Sequence, residues 1–126
     1  MLIHLDTSVL VESFAGARKS MPAVLKATAA GEVVTFSTLV LYEWLRGPRE
    51  NRELDAVERF FAGEFLPALA EREARAAATL YRNLTGSRRR HADIAIAACA
   101  IENGAALWTL NPKDFEDIPG LTLYRG

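Results

Sequence analysis

Twice along this chain a short apolar run stops at residues whose side-chain oxygens can cap a helix, and an apolar helical pattern begins at once. Leu2-Ile3-His4-Leu5 runs into Asp6-Thr7-Ser8, and Val33-Val34-Thr35-Phe36 runs into Ser37-Thr38. A strand that leads straight into a helix is not returning by a hairpin, so the next strand lies parallel to it across a helical crossover. That unit excludes an all-α or all-β domain and predicts an α/β fold whose parallel sheet is covered on both faces.

The rest of the chain keeps the rhythm. Val9, Leu10, Val11 and Phe14 supply the first helix, which Gly16 stops; a second follows Pro22, carries Val24, Leu25 and Ala29, and ends at Gly31. The helix Leu39–Arg46 is broken by Gly47-Pro48, and Glu50 to Phe61 reads as amphipathic with Leu54, Val57, Phe60 and Phe61 on one face. Leu69 to Leu84 is another helix, with Ala74, Ala77, Ala78 and Tyr81 expected to face inward. A basic link, Ser87 to His91, precedes a helix Asp93–Glu102 that Asn103-Gly104 ends. Leu107–Leu110 is read as a third strand and Leu121–Tyr124 as an edge strand. With no linker, repeat or low-complexity tract, residues 1–126 are expected to form a single domain.

One cysteine, Cys99, excludes an internal disulfide framework, and no Cys/His spacing suits zinc. The amino terminus lacks a basic region and no apolar stretch is long enough to span a bilayer, so the expectation is a cytoplasmic protein with no membrane association. Fifteen basic against sixteen acidic residues give a net charge of −1, which argues against a uniformly basic nucleic-acid binder.

Placement says more than the sum. Ligands of open parallel sheets gather beyond the carboxyl ends of the strands. Asp6 follows the first strand, Glu43 lies two turns into the helix after the second, Asp93 opens the helix before the third, and Asp114 lies five residues after Thr109. Carboxylates drawn together repel one another unless a cation compensates, and oxygen donors without His or Cys favour Mg2+, with Mn2+ as a substitute. Such a site suits phosphodiester hydrolysis. Each acid also has a plainer role. Asp6 and Asp93 suit helix caps, and Asn111-Pro112 with Asp114 suits a capped short helix. Glu43, in the apolar run Leu39–Leu45, needs a partner such as an arginine.

In this order and spacing, four segments resemble a known family. Leu5-Asp6-Thr7-Ser8-Val9-Leu10, Ser37 to Gly47 with Glu43, Asp93-Ile94-Ala95-Ile96-Ala97-Ala98, and Leu107-Trp108-Thr109-Leu110-Asn111-Pro112-Lys113-Asp114-Phe115 resemble the signature elements of PIN-domain ribonucleases, and more narrowly VapC-type toxins of type II (VapBC) toxin–antitoxin systems. The resemblance spans nearly the whole chain. It implies a three-layer α/β/α PIN-like domain and a metal-dependent endoribonuclease that cuts RNA by metal-activated water, leaving a 5′-phosphate and a 3′-hydroxyl. Asp6, Glu43, Asp93 and Asp114 correspond to its catalytic, metal-binding acids. Asn111 is the alternative to Asp114 as the fourth site residue, otherwise orienting water or capping its loop, and Ser8 and Thr109 support the carboxylates by hydrogen bonds. One departure is Leu110, where many relatives carry Arg.

Arg46, Arg49 and Arg52 flank the Gly47-Pro48 turn, and Arg88-Arg89-Arg90 precede Asp93. Of these, Arg46, Arg88, Arg89 and Arg90 are the candidates for gripping RNA phosphates. The family reading further implies a VapB-like antitoxin seated in the helical region around Trp44, Phe60, Phe61, Phe65, Leu66, Leu69 and Tyr81, and a homodimer. A phosphatase using a strand-end Asp needs a second acid at position 8, where Ser8 stands, and a phospho-receiver needs an acid after its middle strand, where Ser37-Thr38 stand. A catalytically inactive PIN-like RNA- or protein-binding module is the competing reading.

Overall fold

The computed structural model describes residues 1–125. β1 (Leu2–Leu5), β2 (Val33–Thr35), β3 (Ala106–Trp108) and β4 (Thr122–Leu123) form one sheet in the order β2-β1-β3-β4. Every neighbouring pair is parallel; Ile3 stands opposite Val34 on one side and Ala106 on the other. Among the described residues six α-helices fill the connections: α1 (Thr7–Phe14), α2 (Met21–Ala29), α3 (Thr38–Arg46), α4 (Asn51–Phe60), α5 (Glu71–Asn83) and α6 (His91–Glu102).

The central strands are sealed on both faces, with Ile3, Leu5 and Leu107 fully buried, whereas Val33 and Thr122 on the edge strands are exposed. Ser37 caps α3 by accepting the Val40 N–H at 3.4 Å, and the Glu53 carboxylate accepts the Glu50 N–H at 2.9 Å at the start of α4. α3 and α4 deliver Trp44 and Phe61 to the core, where the Phe61 ring lies 4.8 Å from Phe36 and 5.6 Å from Phe14, all in tilted or edge-on contact.

Three local expectations need correction. The inward face of α5 consists of Glu73, Ala76, Ala77 and Leu80, while Ala74, Ala78 and Tyr81 face solvent. Alanines lie on both faces of this helix and give its periodicity little contrast. The decision falls to Glu73, buried because its Oε2 accepts from Arg72 Nη2 and Asn103 Nδ2, both at 3.3 Å. β3 ends at Trp108, since the Thr109 hydroxyl and the Leu110 N–H turn toward Asp6 and Ser8 rather than continuing the ladder. The basic link is a turn of 3₁₀ helix over Ser87–Arg90 that runs directly into α6. In the apolar run around Glu43 it is Tyr42 and Leu45 that are more than half exposed, while the Glu43 side chain is only 16% exposed.

Candidate active site

The strand order reverses between β1 and β3, so the chain leaves these two neighbours in opposite directions and opens a crevice at their carboxyl ends. Asp6 sits at that point. Its N–H donates to the Trp108 carbonyl at 2.8 Å, and its own carbonyl accepts from Val9 and Leu10 as α1 begins. Asp6 occupies the N-cap position of α1, yet its side chain makes no capping bond. Oδ2 instead accepts from Ser8 Oγ at 2.9 Å and from Thr109 Oγ1 at 2.7 Å.

Both hydroxyls are oriented from behind. Ser8 Oγ accepts the Leu110 N–H and Thr109 Oγ1 accepts the Asn111 N–H, each at 3.1 Å. A hydroxyl has one proton, so both protons are aimed at Asp6, whose Oδ2 accepts the two donors with its two lone pairs. Asp6, 6% exposed, is thereby held buried and oriented.

Glu43 is brought to the same edge by α3, where the Thr7 hydroxyl donates to its Oε1 in a short hydrogen bond. Adjacent residues of one helix start thus serve two different carboxylates. In the sequence Thr7 is one of three residues that suit a helix cap, and its only further signal is a second hydroxyl beside Asp6. The arginine partner expected for Glu43 exists but is loose: Arg46 Nη2 lies 3.7 Å away on a guanidinium that also rests over the Tyr42 ring, and it is 59% exposed.

Asp93 lies in the first turn of α6, partly buried. Burial, and then the charges of Asp6, Asp114 and Glu43, push its pKa from the ordinary 3.8 up to about 6, against a smaller lowering by Arg90. The four acids therefore share one electrostatic neighbourhood. They do not form a closed ligand cage, since among the described residues no three His, Cys, Asp or Glu side chains stand close enough to hold a metal ion together.

Asp114 is exposed at the end of a 3₁₀ turn, Pro112–Asp114. Asn111 precedes that turn, but its side chain makes no capping bond. Arg90 departs from its expected role. Its guanidinium donates to both Asp117 oxygens, at 2.8 and 2.6 Å, and to the Asp114 carbonyl at 2.8 Å, so it straps the Asp114 segment to the start of α6 instead of offering itself to a ligand. Asp117 had no signal in the sequence. Arg88 and Arg89 are exposed and, among the described residues, enter no ion pair.

The comparisons agree with this architecture. A family model, the PIN domain, matches residues 3–121. Ribonuclease VapC19 of Mycobacterium tuberculosis is 34% identical over 119 residues, covering 93% of this chain and 94% of that protein. VapBC2 from Rickettsia felis, solved bound to a DNA fragment from its promoter, shares the fold at a TM-score of 0.77 and 22% identity over 98% of both chains. DNA-bound VapBC from Salmonella typhimurium does so at 0.77 and 21%, also over 98% of both chains. With the family model spanning nearly the whole chain and a curated relative matching it end to end, the chain belongs to the PIN-domain family and, within it, to the VapC ribonucleases.

Proposed function

We propose that the protein is a Mg2+-dependent endoribonuclease, the toxin of a type II toxin–antitoxin pair, acting on RNA in the cytoplasm through Asp6, Glu43, Asp93 and Asp114. The observation that carries this reading is Asp6, a buried carboxylate that forgoes its helix cap and is clamped by Ser8 and Thr109 where the sheet order reverses.

The residues fit a hard divalent ion. All the donors are oxygens, burial and then the charges of the neighbouring acids raise Asp93, and the nearby Arg90 is committed to Asp117. Mg2+ keeps several of its own waters and needs only one or two carboxylates, so an open set of acids suits it better than a closed cage. Asp6, Glu43, Asp93 and Asp114 would hold it, and Mn2+ would substitute. When bound, the ion would activate water and offset the charge of the scissile phosphate. Thr7, Ser8 and Thr109 keep two of the carboxylates aimed, Arg90 holds the Asp114 segment in place, and the exposed Arg46, Arg88 and Arg89 meet flanking phosphates.

A VapB-like antitoxin and self-association into a homodimer complete the proposal. In their support, Tyr42 and Leu45 on α3 and Phe65 and Leu69 in the α4–α5 connection expose apolar surface that an amphipathic segment would cover. The second reading is a silent PIN-like binding module, which the exposed apolar surface of α3 and the α4–α5 connection would serve without a metal. Assaying the chain on structured RNAs with Mg2+, Mn2+ or EDTA, beside Asp6→Asn and Asp93→Asn, decides between them. The proposal expects cleavage that both variants and EDTA abolish; activity that survives them refutes a metal nuclease, and no cleavage under any condition favours the silent module.

A further inference from the structure

Directly beside the acids, a cleft of about 510 Å3 lies between α1, the α1–α2 loop and the start of the Pro112 segment. Thr7 and Ser8, the residues that hold Glu43 and Asp6, form its inner end. Its walls are apolar, from Val11, Ala15 and the 43% exposed Leu110. Arg18 and Lys19 line it from the α1–α2 loop; both are exposed and, among the described residues, neither enters an ion pair. Arg18 is the one described non-glycine residue in the left-handed region, at φ +52°, a costly conformation that here places two consecutive cations at the cleft.

We infer that this cleft is a single-nucleotide subsite of the RNA path, with an unpaired base lying against Val11, Ala15 and Leu110 and its backbone phosphate meeting Arg18 and Lys19. The inference rests on the ribonuclease reading and adds where the strand next to the cut is gripped. The volume suits one nucleotide, and the apolar walls suit a base face better than a charged group. Glu12 fixes the orientation. Its carboxylate also lines the cleft, held by the Ser20 hydroxyl at 2.6 Å, and its charge repels a phosphate from the interior while leaving an acceptor for the donor edge of a base. Leu110 thus contributes an apolar wall, and the phosphate contact comes from the loop opposite.

The test measures binding apart from cleavage. A fluorescently labelled single-stranded RNA is titrated in EDTA with the full chain, with Arg18→Asn/Lys19→Gln, and with a charge-matched control, Lys26→Gln/Arg59→Gln, on exposed positions that do not line the cleft; Asn is chosen because it tolerates the left-handed backbone. The subsite variant should bind about tenfold more weakly, with its salt dependence reduced by a slope of about 0.7, that of one neutralised phosphate on a single strand. The control should bind as the unaltered chain does. Removing one base at a fixed position in the RNA should cost the unaltered chain about fivefold, less than stacking on an aromatic ring provides. With Mg2+, the subsite variant should raise KM about tenfold and leave kcat unchanged. Equal binding by variant and unaltered chain, or an equal loss in the control, overturns the subsite while cleavage by the unaltered chain leaves the ribonuclease reading standing. An unaltered chain that neither binds nor cleaves RNA overturns both.

Discussion

Replacing Asp93 by Asn should stabilise the metal-free protein at neutral pH while abolishing its activity. The Asp93 carboxyl is raised from 3.8 to about 6 by burial and by the charges of Asp6, Asp114 and Glu43, with no hydrogen bond among the described residues to compensate. At about 1.4 kcal/mol for each tenfold change in proton affinity, that difference corresponds to about 3 kcal/mol carried by the folded state above pH 6. Asp93 keeps part of its surface in water, and solvent screening reduces the recoverable part to about 1–2 kcal/mol, or roughly 4–8 °C in Tm for a domain of this size. An acid with a raised folded pKa favours the native state when protonated. The unaltered chain therefore regains this stability as pH falls from 6 toward 4, and the variant has nothing to regain.

His4 titrates with the opposite sign. It is 2% exposed, neither ring nitrogen has a protein partner among the described residues, and burial lowers its pKa from 6.5 to about 4. Its neutral form supports the fold above pH 6.5, and that support is lost as pH falls through 4. Between pH 4 and 6 the two residues offset each other, so Asp93→Asn should expose the acid sensitivity that His4 brings. Thermal melts in EDTA across pH 4–8 read both effects: a variant more stable than the unaltered chain at pH 7.5, with the gap closing by pH 4. A variant that melts no higher at pH 7.5, or a gap that persists unchanged at pH 4, refutes the argument that the cost of burying the Asp93 charge beside the other acids is carried by the folded state.

His4→Leu should flatten the acid side of the same profile, recovering up to about 3 kcal/mol at pH 4 and leaving cleavage intact, since neither ring nitrogen bonds to a site residue. Arg90→Ala should cost about 1–2 kcal/mol in urea unfolding by releasing Asp117 and the Asp114 carbonyl, whereas Arg89→Ala, on an exposed side chain, should change stability by less than about 0.5 kcal/mol. Thr109→Val removes one of the two hydroxyls on Asp6 Oδ2 and should lower activity about 10–100-fold, with a higher Mg2+ requirement and little change in Tm. Mg2+ at millimolar concentration should raise the Tm of the unaltered chain more than that of Asp93→Asn, because it relieves repulsion the variant no longer has.

The chain's fold was legible wherever local chemistry is unambiguous. Apolar runs ending in Asp6-Thr7-Ser8 and Ser37-Thr38 mark β1–α1 and β2–α3, because capping and burial are decided within a few residues. The positions of the four acids relative to the strand ends follow from the same pattern, and with them the family. Tertiary structure decided what each polar group does. Asp6 turned from cap to clamped site residue because Thr109, 103 positions away, brings it a second hydroxyl. Arg90 became a strap because Asp117 faces it, and the inward face of α5 was set by the Asn103 amide that satisfies Glu73. The physical reason is range. Apolar burial and helix caps are read from neighbours in sequence, whereas a polar side chain in a closed site takes whichever partner the fold brings within hydrogen-bond reach, and that partner leaves no periodic trace along the chain.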